Sequence, residues 1–244
     1  DSGTAPPVVD NSPPSSPNIV ATAPAAGGTV SGGAGNDTLT GVGGNDTFIA
    51  SGGGKDSIDG GAGVDTVVVG GARTAYTLAR SSDGSFVLQS KADANTTITL
   101  AHVERLSFNG QSLALDVTPS SAKVADMYTL ALGRNPEDAG LGYWNDMLTG
   151  GQGSLALATG FTHSQEFTSL YGGLGDAAFI TQFYANAFGR TPDAGGMAFY
   201  LDALGHTTGL AGRAIMLANF VDSPEMGVKL AGHIDQGIPL LGTA

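Results

Sequence analysis

Two different periods of apolar residues divide the chain. Between residues 32 and 69 one large apolar residue stands in each short polar segment: Leu39, Phe48, Ile58 and Val67, with Thr, Ser, Asp, Ile or Val beside them and glycine-rich runs between. Successive residues of a strand face opposite sides, so a three-residue strand can point its middle residue inward alone. If each segment is half a coil, the first and third stack on one side and the second and fourth on the other. Further on, residues 75–79, 85–89 and 96–100 alternate well enough to predict strands. Ser82-Asp83-Gly84-Ser85 is a hairpin turn signal between the first two. From Thr118 the period becomes helical, beginning with Val124, Met127, Tyr128, Ala131 and Leu132. Helical patterns continue over 141–148, 155–161, 167–171, 177–188, 197–204, 210–221 and 225–234. The pattern predicts a β part followed by an α part: a short parallel β-roll with a β-strand cap, then an all-α region.

The polar residues around the first period repeat as well. Residues 32–68 read GGAGNDTLT, GVGGNDTFI, Ala50, SGGGKDSID and GGAGVDTVV, four copies of GGxGxDxUx with U apolar. Asp37, Asp46, Asp56 and Asp65 recur at spacings of nine, ten and nine. Val42 and Ser51 replace glycines of the unit, and Ala50 is an extra residue expected to be absorbed as a bulge. Residues 27–31 resemble the strand half of a unit with Gly28 in the aspartate's place, so a strand is expected there without a full turn. A turn that gathers carbonyls and one carboxylate offers oxygen ligands only, which suit a hard cation such as calcium. Stacking pairs Asp37 with Asp56 and Asp46 with Asp65, carboxylates that repel unless a cation lies with them.

This nonapeptide resembles the calcium-binding repeat of RTX proteins. The resemblance implies a calcium β-roll with Asp37, Asp46, Asp56, Asp65, Gly33, Gly35, Gly44, Gly52, Gly54, Gly61 and Gly63 as the metal-binding set. It also implies export by a type I secretion machinery and folding on extracellular calcium. So few units need a cap against solvent. The segment 102–110, HVERLSFNG, with ALD at 114–116, resembles the stretch that follows such repeats in type I secreted proteins and implies further strands.

The helical part repeats internally. Met127-Tyr128, Leu132-Gly133-Arg134-Asn135-Pro136-Glu137 and Tyr143-Trp144 return 56 residues later as Phe183-Tyr184, Phe188-Gly189-Arg190-Thr191-Pro192-Asp193 and Phe199-Tyr200. Phe161-Thr162-His163-Ser164-Gln165-Glu166 returns as Phe220-Val221-Asp222-Ser223-Pro224-Glu225 after a three-residue insertion. The two copies span about 123–171 and 179–230, and a tail follows. They resemble a helical extracellular repeat domain of unknown function related to phycobilisome linkers. Asn135-Pro136-Glu137 and Thr191-Pro192-Asp193 read as helix openings, as do Ser120–Ser121, Ser164 and Ser223, while Gly133 and Gly189 fit helix ends. Arg134 and Arg190 are expected to meet Glu166 and Glu225. With Tyr143, Trp144 and Tyr200 they are also the candidate ligand contacts, for an anion or a sugar platform that includes Phe199.

Composition narrows the function. The net charge is −12 and only 13% of residues are charged, a surface that repels nucleic acid and anionic membranes and welcomes divalent cations. There is no cysteine, which excludes disulfides, thiolate metal sites and a cysteine nucleophile. No run of apolar residues predicts membrane insertion. No HExxH, nucleophile elbow or phosphate loop occurs, and the four histidines keep no metal spacing. Residues 1–26 hold more than half of the eleven prolines and read as a disordered linker, leaving 27–117 for roll and cap and 118–244 for the helices. No N-terminal signal peptide is visible, and the start at Asp1 suggests a longer parent chain. The expectation is a secreted, calcium-binding, non-catalytic module that engages a glycan or another partner at the cell surface or in the matrix. The alternative is the C-terminal secretion and stability region of a secreted hydrolase, such as a polysaccharide-degrading enzyme or a protease, with its catalytic domain upstream. A small enzyme acting through the helical part is the third reading.

Overall fold

In the computed structural model residues 16–242 are described. The β part is a roll of two facing sheets. Strands β1 (Val20–Thr22), β3 (Thr38–Thr40) and β5 (Lys55–Asp59) stack in parallel on one side. Strands β2 (Thr29–Ser31), β4 (Thr47–Ile49) and β6 (Thr66–Val68) stack on the other. The inward rows are in register: Ala21, Leu39 and Ile58 in one sheet, Val30, Phe48 and Val67 in the other. Leu39, Phe48, Ile58 and Val67 are buried, as the period predicts. Each such side chain contributes about 1.5–3 kcal/mol of transfer free energy, while the short strands between glycine turns supply little else apolar.

Strands β9 (Thr97–Ala101) and β10 (Arg105–Phe108) close the open end. They pair in parallel with β5 and β6, so Leu100 continues the row of Ile58 and Leu106 that of Val67. Antiparallel strands then finish each sheet: β8 (Phe86–Ser90) and β7 (Tyr76–Arg80) on one side, β11 (Gln111–Ala114) on the other. The expected cap is therefore an extension of the roll in which strand direction reverses.

Three expectations need correction. The linker expected over 1–26 lies outside the described residues up to 15, but β1 falls inside its remainder. Ile19 and Ala21 occupy the aspartate and apolar places of a half-coil, and β1 holds its place through the ladder to β3 rather than through composition. Ala50 forms no loose bulge. Its amide donates to the Val68 carbonyl at 2.9 Å and its methyl is buried, so it prolongs the ladder beyond Ile49. The tail, counted with the helical part by the sequence, returns to the β part. Strand β12 (Ile238–Leu240) returns to pair antiparallel with β11. Its Ile238 and Leu240 side chains belong to the helical core, so one strand ties the two cores together.

The described residues form eight α-helices: α1 (Pro119–Leu132), α2 (Asp138–Thr149), α3 (Ser154–Thr162), α4 (Gln165–Tyr171), α5 (Asp176–Phe188), α6 (Ala194–His206), α7 (Gly209–Val221) and α8 (Pro224–Gln236). The first four are one repeat and the last four the other. Equivalent helices meet, α1 against α5 and α3 against α7, so the repeats share one core. Ser164 and Ser223 cap α4 and α8, and Gly133 and Gly189 end α1 and α5 in the left-handed conformation. The other starts are displaced from the sequence reading. Thr118 caps α1 in a capping box with Ser121. The acids Glu137 and Asp193 are the cap residues of α2 and α6, so Pro136 and Pro192 precede the cap instead of opening the first turn. Helix α8 lies along β7, and Gln236 donates to the Leu78 carbonyl of that edge strand at 3.1 Å. This covers an edge otherwise open to pairing. No helix among the described residues is long and apolar enough to cross a membrane.

Candidate metal centre

The glycine turns between the short strands stack like the strands. Turn 32–37 lies against turn 51–56, and turn 41–46 against turn 60–65. The approach is so close that only glycine fits at the contact points. A Cβ on Gly52 would overlap the Gly33 carbonyl oxygen, and one on Gly54 the Gly35 carbonyl oxygen. On the other side Gly63 meets the Gly44 carbonyl in the same way, and Gly61 meets that of Gly41. Gly44, Gly54, Gly61 and Gly63 also have positive φ. Every glycine of the sequence-derived set therefore belongs to one of two turn pairs whose carbonyls face the neighbouring turn.

The aspartates line the inner edge of these turns as two ladders. Asp37 donates its amide to Asp56 Oδ1 at 3.0 Å, and Asp46 donates its amide to Asp65 Oδ1 at 2.7 Å. The half-coils without an acid join in, since the amides of Ile19 and Gly28 donate to Asp37 Oδ1 and Asp46 Oδ1 at 2.7 and 2.8 Å. Asp37, Asp46, Asp56 and Asp65 are 1%, 1%, 6% and 0% exposed, a depth at which an unpaired carboxylate costs several kcal/mol. Burial, with the like charge of Asp37 added, holds the Asp56 carboxyl above the usual range, against the stabilising Asp37 amide. Burial also raises Asp65, with the negative charges of Asp46 and Asp59 added and the Asp46 amide opposing.

The hydrogen bonds do not use all the carboxylate oxygens. Asp37 Oδ2 takes the Gly33 amide at 2.6 Å, but Asp46 Oδ2 and Asp65 Oδ2 are buried with no hydrogen-bond partner. Buried polar atoms are nearly always partnered by protein, water or an ion. Two unpartnered anionic oxygens within one turn pair, beside backbone carbonyls, fit a hard cation with oxygen ligands. Among the described residues no three acidic or histidine side chains converge. A cation here would thus take a carboxylate pair and complete its shell with carbonyls and water.

Two sets of residues in this region escaped the sequence reading. Asn18 Oδ1 accepts the Asn36 amide, Asn36 Oδ1 the Lys55 amide and Asn45 Oδ1 the Val64 amide, at 2.8–2.9 Å. These side chains form a second ladder outside the aspartates. Its signal was present in the eighteen-residue spacing of Asn18-Ile19-Val20-Ala21-Thr22 and Asn36-Asp37-Thr38-Leu39-Thr40. The other is Glu104, whose Oε2 accepts the Asp65 amide at 2.9 Å.

The candidate contacts in the helical part are held by different partners. Arg134 is fixed by Glu166 through two bonds of 2.6 and 2.7 Å and by Glu137 at 2.8 Å, which leaves its guanidinium committed. These partners raise the Arg134 pKa further, Glu166 most, and Arg134 in turn lowers Glu166. Arg190 reaches Glu225 only at 3.4 Å and lies over the Tyr184 and Phe188 rings. Trp144 packs on Phe161 and over Gly160, and Tyr200 packs among Phe183, Tyr184 and Phe220. Tyr143 and Phe199 point outward but stand edge-on to their neighbours at 77° and 85°, so neither pair makes a flat sugar platform.

Residues 114–171 and 158–229 match the family model described as a domain of unknown function (DUF4214). The two matches overlap over 158–171, the second part of α3 and all of α4, and together run from just before α1 into α8. Among curated proteins none matches the chain.

Proposed function

We propose that the chain is a calcium-binding module of a secreted protein, related in its N-terminal part to RTX repeats, in which metal binding completes the fold of the roll. The supporting observation is the pair of buried, unpartnered oxygens Asp46 Oδ2 and Asp65 Oδ2 between stacked glycine turns. Asp46 with Asp65, and Asp37 with Asp56, would hold the ions, one for each turn pair. A bound cation supplies positive charge where the two buried carboxylates of each pair otherwise repel one another. Any ion that binds only the folded state adds its binding free energy to stability. Low calcium inside the cell then favours an open, exportable roll, and high calcium outside favours the folded one. The helical repeats supply the surface for an extracellular partner, with Tyr143 and Phe199 as the exposed aromatic residues at equivalent places in the two copies. Within the roll, turns, aspartates and asparagines all have structural or cation-binding roles, which favours a binding module over an enzyme.

Isothermal titration with calcium tests this reading, with magnesium as the control. Heat of binding from calcium that falls in Asp46→Asn/Asp65→Asn to the part the Asp37–Asp56 pair retains supports it. A native chain that gives no heat at millimolar calcium contradicts it.

A further inference from the structure

Glu104 occupies the place of an aspartate, although no repeat unit surrounds it. Arg105 pairs with Thr66 and Leu106 with Val67, which sets Glu104 level with Asp65. The Asp65 amide donates to Glu104 Oε2 at 2.9 Å, as the Asp46 amide donates to Asp65 Oδ1 at 2.7 Å. The connection is shorter than a glycine turn. Only Val103 separates Glu104 from His102, while four residues separate Asp65 from Gly60. Glutamate makes up part of that deficit with its extra methylene.

The remainder of the junction repeats the turn below it. A Cβ on Gly60 would overlap the His102 carbonyl oxygen, and one on Gly41 would overlap that of Gly60, so these two carbonyls hold corresponding positions. His102 does this at φ 48°, the positive φ of a non-glycine residue that is single among the described residues. Its ring is held by Asp59 Oδ1 at 2.8 Å. The sign of a ligand is Asp65, which is 0% exposed and whose Oδ2 has no partner; this oxygen and the His102 carbonyl oxygen would both overlap a Cβ on Gly60, which places it at the junction.

We propose a further divalent-cation site at the junction of roll and cap, with carboxylates from Asp65 and Glu104 and the carbonyl of His102, selective for a hard cation such as calcium. This rests on the calcium reading of the roll. It predicts one ion beyond those of the two turn pairs, bound where the parallel coils give way to the cap. Metal then links the roll to the strands that lead into the helices.

The test is calcium stoichiometry of the full chain by equilibrium dialysis, native against Glu104→Gln. The amide oxygen of glutamine still accepts the Asp65 amide, so a mere end to the ladder survives the change. Three ions in the native chain and two in Glu104→Gln are expected. Equal stoichiometry in both overturns the junction site and leaves the roll reading standing. No calcium bound by the native chain overturns both. Should Glu104→Gln not fold, Glu104→Asp takes its place, keeping the charge but withdrawing it by one methylene. An affinity for the last ion weakened about tenfold or more then supports the site, and an unchanged affinity overturns it.

Discussion

Phe48→Ala tests the roll at its centre. Phe48 is 0% exposed and lies in register between Val30 and Val67 in its sheet. Removing a buried phenylalanine side chain costs about 3–5 kcal/mol, because the ring's transfer free energy is lost and a cavity remains. Each calcium site filled at a hundred times its dissociation constant returns about 2.7 kcal/mol, so the two turn-pair sites that flank Phe48's coil, counted without the junction ion, return roughly 5 kcal/mol. Loss and gain are of the same size. Phe48→Ala in saturating calcium should therefore melt close to where the native roll melts in chelator, and in chelator it should not fold. Far-UV circular dichroism follows the strands, and fluorescence of Trp144, the single tryptophan, follows the helical core. A loss below about 1 kcal/mol in calcium would refute the reasoning, since no well-packed aromatic centre yields so little. So would a variant whose Trp144 signal melts early while the strands stay intact.

Other outcomes follow from particular contacts. Gly63→Ala would place a Cβ on the Gly44 carbonyl at φ 139° and should collapse calcium affinity. Gly142→Ala, with nothing near and a helical position in α2, should raise stability by about 0.5–1 kcal/mol; chemical denaturation reads both. Glu166→Gln should cost about 1–2 kcal/mol, reduced from a buried pair because Glu166 is partly exposed, whereas Glu225→Gln should cost under about 0.5 kcal/mol. Equal losses in urea melts would show that the Arg134 cluster holds nothing. In chelator, burial first and like charge second raise the carboxyl groups of Asp56, Asp65 and Glu104. The folded state then binds more protons than the unfolded state between the usual carboxylate range near 4 and the raised values. Stability in chelator must fall as pH rises through that window. In calcium the slope reverses, because protons compete with the metal for the same oxygens. Melting temperatures against pH with one slope sign in both buffers would contradict this.

The sequence carries the repeating parts of this fold most clearly. Leu39, Phe48, Ile58 and Val67 are legible because each coil repeats the same demand, a single inward side chain between glycine turns. The half-coil at β1 keeps the ladder but loses the residue types, with Ile19 for aspartate and Ala21 for a large apolar residue, so its proline-rich surroundings hide it. Strand β12 is three residues long with Pro239 in its middle and forms only against β11. Such a nonlocal pairing leaves no local pattern. Helical periodicity found the helices but could not choose among aromatic roles. Tyr143 and Trp144 are neighbours in sequence, yet one faces solvent and the other packs over Gly160. That choice depends on the glycine of a different helix. The aspartates were legible from spacing, whereas Glu104 was not, because its turn is shortened and only strand register reveals its alignment with Asp65.

Thermal unfolding of the chain in chelator and in millimolar calcium tests the central claim most directly. The account predicts that calcium raises the melting temperature of the strands, increasingly with concentration, and that Asp46→Asn/Asp65→Asn removes most of that rise. Strands that melt at the same temperature in both buffers would contradict it.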